Sequence, residues 1–327
     1  MKKKFLLSVL CIGLALLSGC GNGKSNIRFG AAGIGGMYYS FASAFAGIVA
    51  GSDSGYTIEV KNTAGSEANL RLLSENYIQL AIAQNDLIYD AYYGTGSADE
   101  PSLTGYSAIA GLYPEACQLV VRKDSAIHSI DDLQGKTVSI GASESGTERN
   151  ARQILTTSGL TDSLVTTVNL DYTEAASSLR SGEIDAFFCT AGIKTTVIEE
   201  LTRECDIRLI GLDEKLRSRL CSAYPFYSEF TIPANTYAGQ TEDIMTLSVQ
   251  AVLLANNRLS DRTVQDLTEI LFAHAQELQY SVAVDMELSE TVAVSNVGIP
   301  FHPGAASYYA DHGISVDTGK SGNKTQP

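Results

Sequence analysis

The chain offers a nucleophile first. Gly141-Ala142-Ser143-Glu144-Ser145 follows a short apolar run and falls one residue short of G-x-S-x-G, the sharp strand-to-helix turn that exposes a serine hydroxyl. Here Ser145 replaces the last glycine, and a serine nucleophile also needs a histidine base. His128 precedes the turn, which leaves His274, His302 and His312, and His302 sits in the rigid Pro300-Phe301-His302-Pro303 where a structural role is expected. Asp131-Asp132 and Glu199-Glu200 read as helix-end and surface charges rather than acid/base couples. There is no H-E-x-x-H, no metal-spaced aspartate cluster and no Cys/His pair, so neither a metal nor a cofactor is expected. Cys117, Cys189, Cys205 and Cys221 match no zinc spacing; Cys205 and Cys221 are nearest in sequence, and disulfides and free thiols both stay open.

A second kind of chemistry is non-covalent. Gly30 to Tyr39 reads GAAGIGGMYY, four glycines in seven positions between the apolar Ile27-Arg28-Phe29 and a helical pattern through Phe41, Phe45 and Ile48. Strand, glycine turn and helix leave backbone N–H groups at a helix N-terminus, a cradle for negative charge. The dinucleotide fingerprint fails because Tyr38 stands where its third glycine belongs, and the phosphate loop fails because Gly36 stands where lysine belongs. Hydroxyl and amide residues recur at later turns: Thr63, Ser66, Gln84, Ser143, Ser145, Thr147 and Thr190. Each alone is an ordinary cap; their recurrence after strands suits ligand binding without reaction.

Positioning those residues requires alternating strands and helices. Tyr56 to Lys61 alternates as a strand and leads to Ser66, expected as N-cap of a helix carrying Leu70 and Leu73. Ile78 to Ala83 precedes a helix closed by Gly94; Tyr106 to Tyr113 and Cys117 to Arg122 read as two strands around Pro114. Thr137 to Ile140, Val165 to Leu170, Ile184 to Phe188 and Ile207 to Gly211 add strands, and Thr147 opens a helix ended by Gly159. Tyr224 to Pro233 reads as an extended crossing. Thr241 to Ala255 and Arg262 to Leu278 carry apolar residues at three- and four-residue spacing and read as helices. The whole indicates α/β architecture with largely parallel sheet. An internal echo adds to this. Gly65-Ser66-Glu67-Ala68-Asn69-Leu70-Arg71 recurs as Gly146-Thr147-Glu148-Arg149-Asn150-Ala151-Arg152, and Leu73-Ser74 before Ile78-Gln79-Leu80-Ala81 recurs as Leu179-Arg180-Ser181 before Ile184-Asp185-Ala186-Phe187. Two echoes in one order imply two lobes on one plan, with helix N-termini facing a shared cleft.

Composition sets outer limits. The 327 residues, 44% hydrophobic and 18% charged, suffice for one large or two medium domains. A formal charge of −14 argues against nucleic acid as a partner. Lys2-Lys3-Lys4, the apolar Phe5 to Leu17 and Leu17-Ser18-Gly19-Cys20 form an export signal that resembles a bacterial lipobox, with Cys20 acylated as the new N-terminus. Losing those three of 23 basic residues leaves 20 against 37 acidic, a mature charge of −17. A plain secretory signal stays the alternative. Residues 20–26 read as a polar tether and 317–327 as a disordered tail.

Taken together, Gly35-Gly36-Met37-Tyr38-Tyr39, Thr63-Ala64-Gly65-Ser66 with Asn69-Leu70, Ala83-Gln84-Asn85-Asp86, Leu133-Gln134-Gly135-Lys136, Ser145-Gly146-Thr147 with Asn150-Ala151, Thr236-Tyr237, and Pro300 to Ala305 with Tyr308-Tyr309 carry a resemblance. The chain resembles the solute receptors of tripartite ATP-independent periplasmic (TRAP) transporters, specifically the TRAP-associated extracytoplasmic immunogenic (TAXI) family. The resemblance implies a two-lobed, type II periplasmic-binding-protein fold with a ligand cleft between lobes. It implies a first lobe over 27–118 and 225–316, a second over 119–224, and no catalysis. The expected solute is a small carboxylate, an amino acid such as glutamate or glutamine or a dicarboxylate, passed to a TRAP permease from a lipid-anchored receptor on the outer face of the cytoplasmic membrane or in the periplasm. Gly36, Met37, Tyr38, Thr63, Ala64, Gly65, Ser66, Gln84 and Asp86 are expected in one wall, Ser143, Ser145, Gly146, Thr147, Thr190, Ala191 and Gly192 in the other, and Tyr113 near the hinge. Backbone N–H groups at Gly65-Ser66 and Gly146-Thr147 are expected to take the carboxylate. Met37 stands where the family commonly has threonine, and Lys194 where proline is common. A ligand sensor or adhesin on the same fold, and a serine esterase, remain as alternatives.

Overall fold

The computed structural model describes residues 25–96, 102–282 and 287–319. The export signal and Cys20 lie outside the described residues.

Strand β1 (Ser25–Gly30) pairs in parallel with β2 (Tyr56–Lys61) and β3 (Leu80–Gln84). Helix α1 (Met37–Gly51) crosses from β1 to β2, α2 (Ser66–Ser74) from β2 to β3, and α3 (Asn85–Tyr93) follows β3 directly. The expected tether therefore ends sooner than its polar sequence suggests: Ser25 and Asn26 already pair with Tyr56 and Thr57. On the other side β5 (Thr137–Ser139) pairs in parallel with β6 (Thr166–Val168) and β7 (Ala186–Ala191), linked by α4 (Gly146–Ser158) and α5 (Tyr172–Ser181). Helix α6 (Thr196–Glu204), strand β8 (Ile207–Ile210) and helix α7 (Glu214–Ala223) complete that side, and β9 (Ser228–Ile232) leads back.

Two long strands hold the halves together. β4 (Tyr106–Arg122) is one 17-residue strand, not two around Pro114 as expected. Pro114 is tolerated because the ladder is already irregular there, with a register shift between Gln250 and Val252 of the facing strand. That facing strand is β10 (Ile244–Asn256), and it corrects the helix expected over Thr241 to Ala255. Its residues are buried on both faces, so apolar side chains run continuously and the alternation that marks a strand is lost. The first half of β4 pairs with β10 and the second with β7 and β8, while β10 also reaches β3 and β9. The described strands form one curled sheet in the order β2-β1-β3-β10-β4-β7-β5-β6, with β8 on β4 and β9 on β10.

The C-terminal helices close the first half. α8 (Asp261–Ala273) and α9 (Ala275–Ser281) account for the second expected helix, broken at His274. α10 (Glu290–Ala293) is a single turn. His302 caps α11 (Pro303–Asp311), its Nδ1 accepting from the Gly304 N–H at 3.2 Å, which makes it structural as expected. The tail expected from residue 317 is pinned at its start, since the Asp317 carbonyl accepts from the Phe301 N–H at 2.8 Å. Buried residues form two clusters, a large one around Phe29, Phe41, Phe45, Tyr106 and Tyr309 and a smaller one around Leu119, Val138, Ile154 and Phe188. Among the described residues no helix is long and apolar enough to cross a membrane.

Candidate functional site

A cavity of about 400 Å³ lies between the halves, within the range of small-molecule sites. Four helices begin at its wall: α1 behind Gly36, α2 behind Gly65, α4 behind Ser145 and α5 behind Asp171. α1 and α2 open without a side-chain cap, whereas Ser145 and Asp171 cap their own helices by accepting from Glu148 and Glu174. Each N-terminus carries roughly half a positive charge, so four of them favour an anionic group. Among the described residues, the lining holds no lysine, arginine or histidine. That removes a serine–histidine couple from this wall, although Ser145 is part of it. Among the described residues no cluster of three or more metal-ligating side chains occurs.

The two echoed segments meet across the cleft. The Ala68 N–H donates to the Glu144 carbonyl at 3.2 Å. Gly65 takes φ +138°, and a Cβ there would sit 3.0 Å from Cα and Cβ of Ser145. Gly65, not Ser66, is the N-cap of α2. Ser66 is its first residue instead, and its hydroxyl accepts from the Gln84 N–H at 3.2 Å, tying helix to strand. Thr63 is committed likewise: its Oγ1 accepts from the Ala32 N–H at 2.9 Å and donates to Asn69 Oδ1 at 2.7 Å. In the other half Thr147 Oγ1 accepts from the Thr190 N–H at 3.2 Å and lies 2.7 Å from the Tyr172 hydroxyl, which donates to the Thr190 carbonyl at 2.9 Å.

Of the expected site residues, Gly36, Met37, Tyr38, Thr63, Ala64, Gly65, Ser66, Gln84, Ser145, Gly146, Thr147, Thr190 and Ala191 lie together in the lining. Ser143 and Gly192 do not, and Ala142 takes the place expected for Ser143. Asp86 lies behind the wall, buried, where Asn150 Nδ2 donates to it at 3.4 Å and burial pushes its carboxyl up to about 6. Tyr113 is buried in β4, one residue before Pro114 where the two long strands shift register. It also borders a different recess, with Phe226 and Asn296.

Sequence reasoning passed over Ala32, Gly33, Asn62, Glu115, Ala142, Asp171 and Tyr172. Asp171 was findable, since Asp171 and Glu174 make a reciprocal capping box at the D-x-x-E spacing. Glu115 carried the plainest signal, a lone acid inside the apolar YSAIAGLYPEACQLVVR. It is 2% exposed and accepts from the Tyr38 hydroxyl at 2.6 Å. Burial, reinforced by the nearby Asp86, pushes its carboxyl up to about 8, against a smaller opposite effect of the Tyr38 and Gln84 hydrogen bonds. Burial also raises the Tyr38 hydroxyl well above its ordinary value.

Two α/β halves, joined by two long strands and enclosing a cavity lined by helix N-termini, define a type II periplasmic-binding-protein fold with its ligand cleft. The chain matches the NMT1-like family over residues 29–313 and belongs to it. Solved structures share the fold at low identity. One is the binding-protein component of an ABC phosphonate transporter from Pseudomonas aeruginosa, 13% identical, with 84% of this chain and 83% of that one covered and a TM-score of 0.51. Another is a protein of Bordetella bronchiseptica RB50, 17% identical, with 90% and 84% covered and a TM-score of 0.53.

Proposed function

We propose that the protein is an extracytoplasmic solute receptor that captures a small carboxylate and delivers it to a membrane permease of the TRAP type. The observation that carries this reading is the convergence of four helix N-termini on one cavity between the halves. Such an arrangement holds an anion through backbone donors and leaves it chemically unchanged. Family membership, and a fold shared with the binding component of a phosphonate transporter, support capture for transport. The motif resemblance supports a TRAP rather than an ABC permease. Cys20, acylated at the lipobox-like Leu17-Ser18-Gly19-Cys20, would tether the receptor at the membrane surface. Closure would be a bend of β4 and β10 where their register shifts, driven by contacts made only when the halves meet.

Calorimetry on the full-length protein in mild detergent, titrated with L-amino acids and C4–C5 dicarboxylates, tests the reading. Micromolar or tighter binding of at least one carboxylate is expected. If every one of them fails, and hydrolysis of activated esters by the wild type is lost in Ser143→Ala, the esterase alternative replaces it. For the anchor, Cys20→Ala should release the protein from membranes. For the permease, a pull-down of TRAP subunits rather than an ATP-driven transporter is expected.

A further inference from the structure

We propose that Glu115, with Gln84, forms an ammonium-binding floor that makes this cavity select a zwitterionic α-amino acid over a dicarboxylate that has no amine. The inference rests on the solute-receptor reading above and deepens it.

Glu115 stands at the middle of β4, opposite Val249 of β10, where the halves join, and it lines the cavity. The Tyr38 hydroxyl donates to one carboxyl oxygen, and Gln84 lines the cavity together with Glu115. The Gln84 side chain offers an unused acceptor: its Oε1 is fully buried and meets no donor, although the residue lines the cavity and is 2% exposed. A buried acceptor without a partner is rare and calls for a donor. An ammonium supplies three, enough for both Gln84 Oε1 and the Glu115 carboxylate.

Charge leads the same way. Among the described residues, the ionisable side chains of the lining, tyrosines aside, are Glu115 and Asp171, both acids. Titratable groups facing Glu115 from the elements around it are Tyr38 of α1, Asp86 of α3, Tyr113 and Cys117 of β4, Tyr172 of α5 and Cys189 of β7, and none is a cation. Arg149 does act on Asp86, but it is engaged in an ion pair with Asp90. A dicarboxylate would bring two negative charges beside a buried acid with only helix dipoles to offset them. A zwitterion places its carboxylate at the helix N-termini and its ammonium at the acid, and each end meets its complement.

A buried carboxyl with no cation beside it stays protonated, consistent with the upward push on Glu115 to about 8. When an ammonium docks, the carboxyl ionises and its proton leaves to the buffer. Binding of an amino acid near neutral pH thus releases a proton, and affinity rises with pH until Glu115 is ionised in the empty protein.

The test is calorimetry at pH 7 on the full chain in mild detergent, in two buffers of different ionisation enthalpy. The ligands are the L-α-amino acids, together with the 2-oxo acid and the des-amino acid corresponding to the tightest binder. The amino acid should bind about 30-fold or more tighter than either amine-free counterpart, as expected for a lost charge-assisted contact, and release most of one proton. Glu115→Gln keeps a partner for Tyr38; it should lower amino-acid affinity by a similar factor, abolish proton release, and leave the amine-free ligands unchanged or tighter. The wild-type ligand pairs and proton count decide the matter even if that variant does not fold. Equal or tighter binding of the amine-free acid, or no proton release, overturns the inference and leaves the carboxylate receptor standing. Binding of no carboxylate at all overturns both.

Discussion

Arg149 of α4 reaches across the cleft to Asp90 of α3, with its guanidinium 2.5 Å from a carboxylate oxygen. Their side chains are 29% and 26% exposed, whereas the second pair across the same gap, Arg71 with Glu144 at 2.8 Å, is 44% and 43% exposed. Each pair joins a residue of the first half to one of the second, so both exist only while the two halves are in contact. In the proposed closure they would act as a latch.

Arg149→Met should therefore weaken solute binding by about fivefold, the size of a partly exposed ion pair of about 1 kcal/mol, and mainly by faster dissociation. Arg71→Met, at the wetter pair, should cost about twofold or less. Stopped-flow dissociation at low and high salt checks this. Raising salt should speed release from the wild type and leave Arg149→Met nearly unaffected.

Stability should fall as pH rises in the empty protein. Asp86 is pushed up from 3.8 to about 6 and Glu115 from 4.5 to about 8, both chiefly by burial. Between about pH 4 and 8 the folded protein therefore holds more protons than the unfolded chain, and linkage makes the unfolding free energy decrease with pH over that window. The contribution is complete below pH 4 and lost by about pH 8. In thermal unfolding without solute, Asp86→Asn with Glu115→Gln should reduce the loss of Tm between pH 5.5 and 8 by at least about 3 °C. An unchanged slope would mean that neither carboxyl titrates in this range.

Much of this was legible in the sequence, for reasons specific to particular residues. The glycine turn before Met37, the paired Gly65-Ser66 and Gly146-Thr147, and the helix ends at Gly94 and Gly159 depend on local chemistry, and they stand where local chemistry puts them. β10 was not legible, because a strand buried on both faces carries apolar spacing that a helix also satisfies. Ser66 and Thr63 were recognised as cleft residues, yet their hydroxyls hold Gln84 and Ala32 rather than standing free. Glu115 was not legible, because a single buried acid in an apolar strand forms no motif.

Cysteine reactivity offers a separate check on the core. All four described cysteines are free thiols. Cys117 and Cys189 are buried, and burial pushes each thiol up to about 12, whereas Cys205 and Cys221 are only partly buried. Alkylation needs the thiolate, so at pH 8 iodoacetamide should modify Cys117 and Cys189 at least about 100-fold more slowly than Cys205 and Cys221. Peptide mass spectrometry on native and denatured samples reads all four. Rapid native labelling of Cys117 would mean that the β4–β7 ladder opens.

At Gly146 the proposed closure depends on a hydrogen atom where a methyl group would be. A Cβ added at Gly146 would overlap Cδ, Oε1 and Nε2 of Gln84 in the facing wall. The Gln84 amide is the end of a flexible side chain, but it is buried between the two walls, so it has little room to retreat while the halves touch. With the halves apart nothing opposes the methyl. Gly146→Ala should then raise the dissociation constant about 30-fold or more while moving the Tm of the empty protein by less than about 2 °C, since a steric block on closure is not a defect in either core. Gly65→Ala differs because its φ of +138° strains any side chain in both arrangements, so it should lose stability as well as affinity. Comparing the two by calorimetry and thermal unfolding separates contact across the cleft from strain within one half. If both variants lose Tm equally, Gly146 belongs to a permanent packing contact, and the two halves do not part there.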